Sequence, residues 1–180
     1  ASSAISAFAA RPANAEIALL AIARLAASDP DAAAAQLDAA GWAKRFTPAQ
    51  AAHAWSQVGR QAALKLQPQA LDHYRRGWRQ LRPGAEPGWT DDTLAWSVRA
   101  ALRASPADTD RWGVVLRSID AMGDAEQRDA AWVYWKARAL QARAQADMDG
   151  DAQRAAASAL LRSIAGQLNF YGKLATEDLG

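Results

Sequence analysis

The stretch TPAQAAHAWSQVGRQAALKLQPQALDHYRRGWRQLRPGAEPG, residues 47–88, decides the fold. Thr47-Pro48 supplies an N-cap and a proline at the first helical position, where a missing N–H costs no intrahelical bond. Ala51, Trp55, Val58, Ala62 and Leu66 then recur at spacings of 4, 3, 4 and 4, which is one face of an α-helix. Pro68 opens a second helix with Ala70, Tyr74, Trp78 and Leu81 on one face, and Arg82-Pro83-Gly84-Ala85-Glu86-Pro87-Gly88 closes it. Two apolar faces in succession, joined by a short turn, cover one another as a helical hairpin.

The same grammar extends in both directions. Upstream, Ala15 to Ala27 places Ile17, Leu20, Ala21 and Leu25 near helical spacing before Ser28-Asp29-Pro30. A short helix, Asp31 to Ala40, follows and stops at Gly41. Downstream, Thr90-Asp91-Asp92 caps a helix through Arg103 whose Leu94, Val98 and Leu102 face inward. Ser105-Pro106 repeats the start signal for a helix to about Met122 carrying Trp112, Val115, Leu116 and Ile119, with Gly123 as its stop. Ala125 to Ala146 has no Gly or Pro and predicts one long helix with Trp132, Trp135, Ala139, Ala142 and Ala146 as its stripe. Asp147 to Asp151 is a polar turn, Asp151 caps a helix ending near Gly166 with Leu160 and Ile164 inward, and Asn169 caps a last helix carrying Leu174 and Leu179. No useful strand alternation occurs. The expectation is an all-α fold, an irregular superhelix of stacked antiparallel hairpins with about ten helices. It forms one domain over 1–180, with 83–88 as the place for a break.

Composition agrees. Of the 180 residues 51% are hydrophobic, and much of that share is alanine, the best helix former. Arginines and aspartates interrupt every alanine-rich run, so no stretch reaches the roughly 20 apolar residues of a membrane span. Ala1 to Ala10 lacks a basic leader and a leucine-rich run and does not read as a signal peptide. Cysteine is absent, which removes disulfides, thiol catalysis and thiolate metal sites. The formal charge is only +2, yet Arg60, Lys65, Arg75, Arg76, Arg79 and Arg82 cluster with Asp72 alone among them. That stretch is expected to be locally positive.

Chemistry-bearing residues are sparse. Glu16, Glu86, Glu126 and Glu177 stand in four different segments, Glu86 and Glu126 in polar turn or cap contexts, so a solvated-face role is expected for each rather than acid and base work. His53 and His73 lie on successive helices but make only half a zinc site. Asp147-Met148-Asp149-Gly150-Asp151 resembles a cation loop, but its glycine comes fourth rather than sixth and Ser158 stands where a twelfth-position glutamate belongs. No nucleophile elbow, phosphate-binding glycine loop or His-Glu-x-x-His helix is present. The chain is expected to carry no catalytic site, metal or cofactor of its own. Of the eight tryptophans, Trp55, Trp78, Trp112, Trp132 and Trp135 fall on apolar stripes, whereas Trp42 and Trp89 follow glycines at segment boundaries. These two, with Arg75, Arg76, Arg79 and Arg82, are the candidate ligand or partner contacts.

The C-terminal third carries a resemblance. Ala131-Trp132-Val133-Tyr134-Trp135-Lys136-Ala137-Arg138-Ala139-Leu140 is followed by Asn169-Phe170-Tyr171-Gly172-Lys173-Leu174-Ala175 and Leu179-Gly180. This pair resembles the superhelical domain of soluble lytic transglycosylases. Ile22-Ala23-Arg24-Leu25-Ala26 before Asp29-Pro30, and Trp89-Thr90-Asp91-Asp92, are similar too. The resemblance implies a periplasmic or envelope protein whose family cleaves peptidoglycan between N-acetylmuramic acid and N-acetylglucosamine. In that family a single glutamate works in a lysozyme-like domain that follows the superhelix. The Glu-Ser and Gly-Leu-Met-Gln-x-x-Pro elements of that domain are absent here, so the catalytic role transfers to no residue of this chain. The implied partners are a peptidoglycan glycan strand and a catalytic domain in cis, with the basic run suited to the carboxylates of muropeptides. The competing expectation is a tetratricopeptide-like adaptor that binds a peptide on its concave face, although the 34-residue repeat signature does not fit this chain. A nucleic-acid binder is a weaker alternative, disfavoured by the small net charge.

Overall fold

A computed structural model describes residues 14–39, 45–144 and 148–180. They form ten helices: α1 Ala15–Ser28, α2 Pro30–Asp38, α3 Pro48–Leu64, α4 Ala70–Arg79, α5 Asp91–Arg103, α6 Arg111–Asp120, α7 Asp124–Gln127, α8 Ala130–Arg143, α9 Met148–Ile164 and α10 Phe170–Leu179. No strand occurs among the described residues, and no helix there is long and apolar enough to cross a membrane. The protein is all-α, as expected. The helices divide into two compact units between Ala100 and Ala101, within α5, so the breaker at 82–88 lies inside the first unit.

Start signals read from the sequence act as capping groups. Thr47 accepts from the Gln50 backbone N–H at 3.2 Å, and Gln50 Oε1 accepts from the Thr47 N–H at 3.0 Å, a complete capping box. Asp29 accepts from the Ala32 N–H, and Asn169 from the Gly172 N–H. Ser105-Pro106 is different. Ser105 Oγ accepts from the Ala107 N–H and the chain makes successive tight turns until α6 begins at Arg111. The signal starts a turn there, because a serine hydroxyl caps a turn as readily as a helix.

In the first unit α1 packs on α2 and α3, and α3 packs along α4 across a short turn. Ala51, Trp55, Val58 and Ala62 are buried as predicted, but Leu66 lies beyond the helix end, 62% exposed and at φ 60°. The inward face of α1 also differs from expectation: Ile17 and Leu20 are 52% and 70% exposed, while Ala15, Ala18, Ile22 and Ala26 are buried. Their spacing of 3, 4 and 4 is a helical stripe too, and small side chains bring α1 close to its neighbours.

In the second unit α8 is central and touches α6, α9 and α10. The expected helix from Ala125 is broken: Asp129 accepts from the Ala131 N–H and starts a new helix, leaving the short α7 behind it. The tryptophan and alanine stripe is only part of the buried face, and its last member, Ala146, lies outside the described residues. Trp132, Val133, Tyr134, Ala137 and Ala139 are buried, whereas Trp135 is half-buried and Ala142 exposed. A helix covered on several sides buries residues around most of its circumference, and a single stripe disappears. Val133, Tyr134, Ala137, Ala157, Leu161, Ile164 and Ala175 form the core of this unit.

Candidate functional site

Half of the basic run is ion-paired, Arg60 and Arg76 by partners the sequence keeps far away. Arg60 Nε donates to Asp92 at 2.6 Å, Arg76 to Asp38 at 2.5 Å and Arg75 to Asp72 at 3.3 Å. Lys65 donates to the Ser28 carbonyl at 2.5 Å. Arg76 also lies over the Trp55 ring, 4.8 Å from its centroid. Arg79 and Arg82 are exposed and make no ion pair among the described residues. The local positive charge expected from spacing therefore comes down to Lys65, Arg79 and Arg82, since α2 and α5 bring carboxylates to Arg76 and Arg60 and Asp72 pairs with Arg75.

Trp89, expected as an exposed contact, is 8% exposed and belongs to the core. Its ring lies 4.5 Å from Trp78 and 6.1 Å from Tyr74, centroid to centroid. Glycine makes the room: a Cβ on Gly77 would stand 3.1 Å from Trp89 Cζ2, and one on Gly59 would stand 2.9 Å from Tyr74 Cδ2. Gly88, immediately before Trp89, sits in the left-handed region at φ 62°, a conformation glycine adopts without a Cβ penalty. Trp42 lies outside the described residues.

His73 is buried against Trp55, with parallel rings 5.8 Å apart, and neither ring nitrogen has a hydrogen-bond partner among the described residues. Burial lowers its pKa first, and the Arg76 guanidinium lowers it further, against opposing pulls from Asp31, Asp72 and Asp38. The unfolded chain thus binds a proton more readily than the folded one. The stability from neutral His73 is present above the unfolded value of about 6.5 and is lost as pH falls through the lowered native value. The urea midpoint is expected to fall between pH 7 and pH 5, and His73→Phe, which keeps a stacked ring, should flatten that dependence. An unchanged slope in the variant would assign the effect elsewhere, with His53, also lowered by burial, as the next group to replace.

The four glutamates are not brought together. Glu126 accepts from Trp132 Nε1 at 3.3 Å, and Glu16, Glu86 and Glu177 are exposed on separate elements. Among the described residues no three His, Asp or Glu side chains stand close enough to hold a metal ion. The sequence resembling a cation loop becomes the first turn of α9, which begins at Met148, three residues ahead of the expected cap. There Asp151 pairs with Arg154 at 2.5 Å; Asp147 lies outside the described residues.

Two features of the second unit stand out. The first is the joint between α8 and α10: Arg138 donates to Tyr134 Oη at 3.1 Å and to Asp178 at 3.0 Å, and Tyr134 packs on Tyr171 at 5.6 Å. The second is a groove of about 510 Å³ between α7, α8 and α9, with Val133, Leu160 and Ile164 among its lining and charged or polar groups around them. Sequence spacing missed the groove because its residues come from three segments. Asp129 as an N-cap was the one signal that could have separated Arg128 from α8.

Fold and site together define an all-α protein of packed helices in two compact units. No family model matches the chain, and no curated protein or solved structure is significantly similar to it.

Proposed function

We propose that this chain is a non-catalytic superhelical scaffold of a peptidoglycan lytic transglycosylase, working in the periplasm or cell envelope. Its role is to hold or orient the glycan strand for a lysozyme-like domain in cis that cleaves between N-acetylmuramic acid and N-acetylglucosamine. The observation that carries this reading is the joint between α8 and α10. Tyr134, Arg138 and Tyr171, among the residues on which the resemblance rests, pack α8 against α10, and Gly172 lets the start of α10 approach the end of α9. Their use as a structural joint supports a scaffold, and the lack of the Glu-Ser and Gly-Leu-Met-Gln-x-x-Pro elements in these 180 residues supports a partner domain for the chemistry.

The test is retention on purified peptidoglycan sacculi beside an assay for anhydromuropeptide release. Binding without release is expected. Release would overturn the non-catalytic reading, and no binding would favour the tetratricopeptide-like adaptor, for which the exposed Ile17 and Leu20 on α1 supply apolar contact surface. Arg79→Glu with Arg82→Glu leaves every ion pair described above intact. Because an exposed ion pair contributes about 0.2–1 kcal/mol, the pair of substitutions should weaken retention by roughly threefold to tenfold at low salt. Equal retention would remove the basic run from the binding surface.

A further inference from the structure

We infer that the groove between α7, α8 and α9 is a binding site for a pyranose that carries a carboxylate. The ligand class rests on the proposed function; the site itself rests on geometry. At about 510 Å³ the groove falls within the roughly 300–1,000 Å³ of small-molecule sites. Half-buried Leu160, with the edges of Val133 and Ile164 beneath it, offers the apolar surface on which the C–H face of a sugar ring packs.

Around them stands the polar complement of such a ring. Arg128 is exposed, lines the groove and makes no ion pair among the described residues, so its fork of N–H donors is available to a carboxylate. Lys136 also lines the groove, but Asp120 holds its ammonium at 2.6 Å, which leaves Arg128 as the anion-selecting group. Ser163 Oγ donates to the Leu160 carbonyl at 2.6 Å and keeps its lone pairs for a sugar hydroxyl. Gln167 accepts from Asn169 at 2.9 Å through Oε1 and keeps its amide donors, while Asp124 accepts only. An apolar floor, mixed donors and acceptors and one uncommitted guanidinium match an acidic sugar better than an apolar ligand or a polyanion. Muramic acid, with its lactyl carboxylate, has that chemistry.

The experiment is an amide chemical-shift titration of the ¹⁵N-labelled chain with the disaccharide N-acetylglucosaminyl-N-acetylmuramic acid, and with chitobiose as the sugar lacking the carboxylate. Shifts clustered on Arg128, Ser163 and Gln167 are expected, with chitobiose weaker by roughly tenfold, the worth of one charge-assisted hydrogen bond. Arg128→Glu should lower disaccharide affinity roughly tenfold or more, and Ser163→Trp should block the groove; dispersed spectra report that each variant is folded. Sacculus binding without shifts at the groove, or with full affinity in both variants, would overturn the groove and leave the scaffold reading standing. Groove shifts without sacculus binding would overturn the scaffold reading alone. Neither binding nor shifts would overturn both.

Discussion

Gly172→Ala is expected to undock α10 from the second unit and to cost about 3 kcal/mol of its stability, the upper end of overpacking effects. A Cβ at this position would lie 2.2 Å from the Gln167 carbonyl oxygen and 2.9 Å from that of Ile164. Both obstacles are backbone, so no side chain can swing aside, and relief requires the N-terminal turn of α10 to move off the end of α9. That movement would also stretch the cap between Asn169 Oδ1 and the Gly172 N–H, now 2.8 Å, and pull Ala175 from the core. Gly166→Ala is the control, because nothing lies within 4 Å of its added methyl group, and its effect should stay within about 0.5 kcal/mol. Urea unfolding followed by far-ultraviolet circular dichroism separates the two. Equal midpoints would show that α9 and α10 meet less closely than described.

The second large effect is expected at Tyr74 in the first unit. This side chain is 0% exposed, its hydroxyl donates to the Thr93 carbonyl at 3.1 Å, and burial holds the phenol protonated by raising its pKa. Truncating a large buried ring removes its transfer energy and leaves a cavity, so Tyr74→Ala should cost about 3–5 kcal/mol. Tyr74→Phe keeps the ring and loses one hydrogen bond, for about 1 kcal/mol. Gly59→Ala tests the packing separately. In the native background its methyl group presses on the Tyr74 ring, whereas in Tyr74→Ala it has room, so the two changes together should cost less than their sum. Tryptophan fluorescence reads the result directly, since Trp78 and Trp89 border Tyr74 or one another. A strictly additive pair would mean that the ring and Gly59 do not share one close contact.

Much of the fold was legible because helix starts and stops are local chemistry. Thr47-Pro48, Asp29-Pro30 and Asn169 act within three or four residues of themselves, and each caps where the sequence places a boundary. Faces were legible only in part, because a helix with several neighbours buries more than one stripe. On α3, packed by α1, α2 and α4, the stripe Ala51, Trp55, Val58 and Ala62 is buried together with Ala52, Ala54 and Ala63 outside it, and on α8, covered by α6, α9 and α10, Val133, Tyr134 and Ala137 join Trp132 and Ala139 in the same way. The candidate site was less legible still. Spacing identified a cluster of cations around residues 60–82, but it contained no information that Asp38 and Asp92 fold back onto Arg76 and Arg60. Nor did it show that Trp89 slides over the bare backbone of Gly77 into the core.

From the sequence alone came the helical class, about ten elements and most of their caps, because these depend on hydrogen bonds and backbone preferences within a single turn. Tertiary structure alone decided which charges remain free, which tryptophans are covered and where a groove opens. Those outcomes depend on side chains brought together across turns and helices, 32 residues apart for Arg60 with Asp92 and 40 for Arg138 with Asp178, and local periodicity carries no record of such distances.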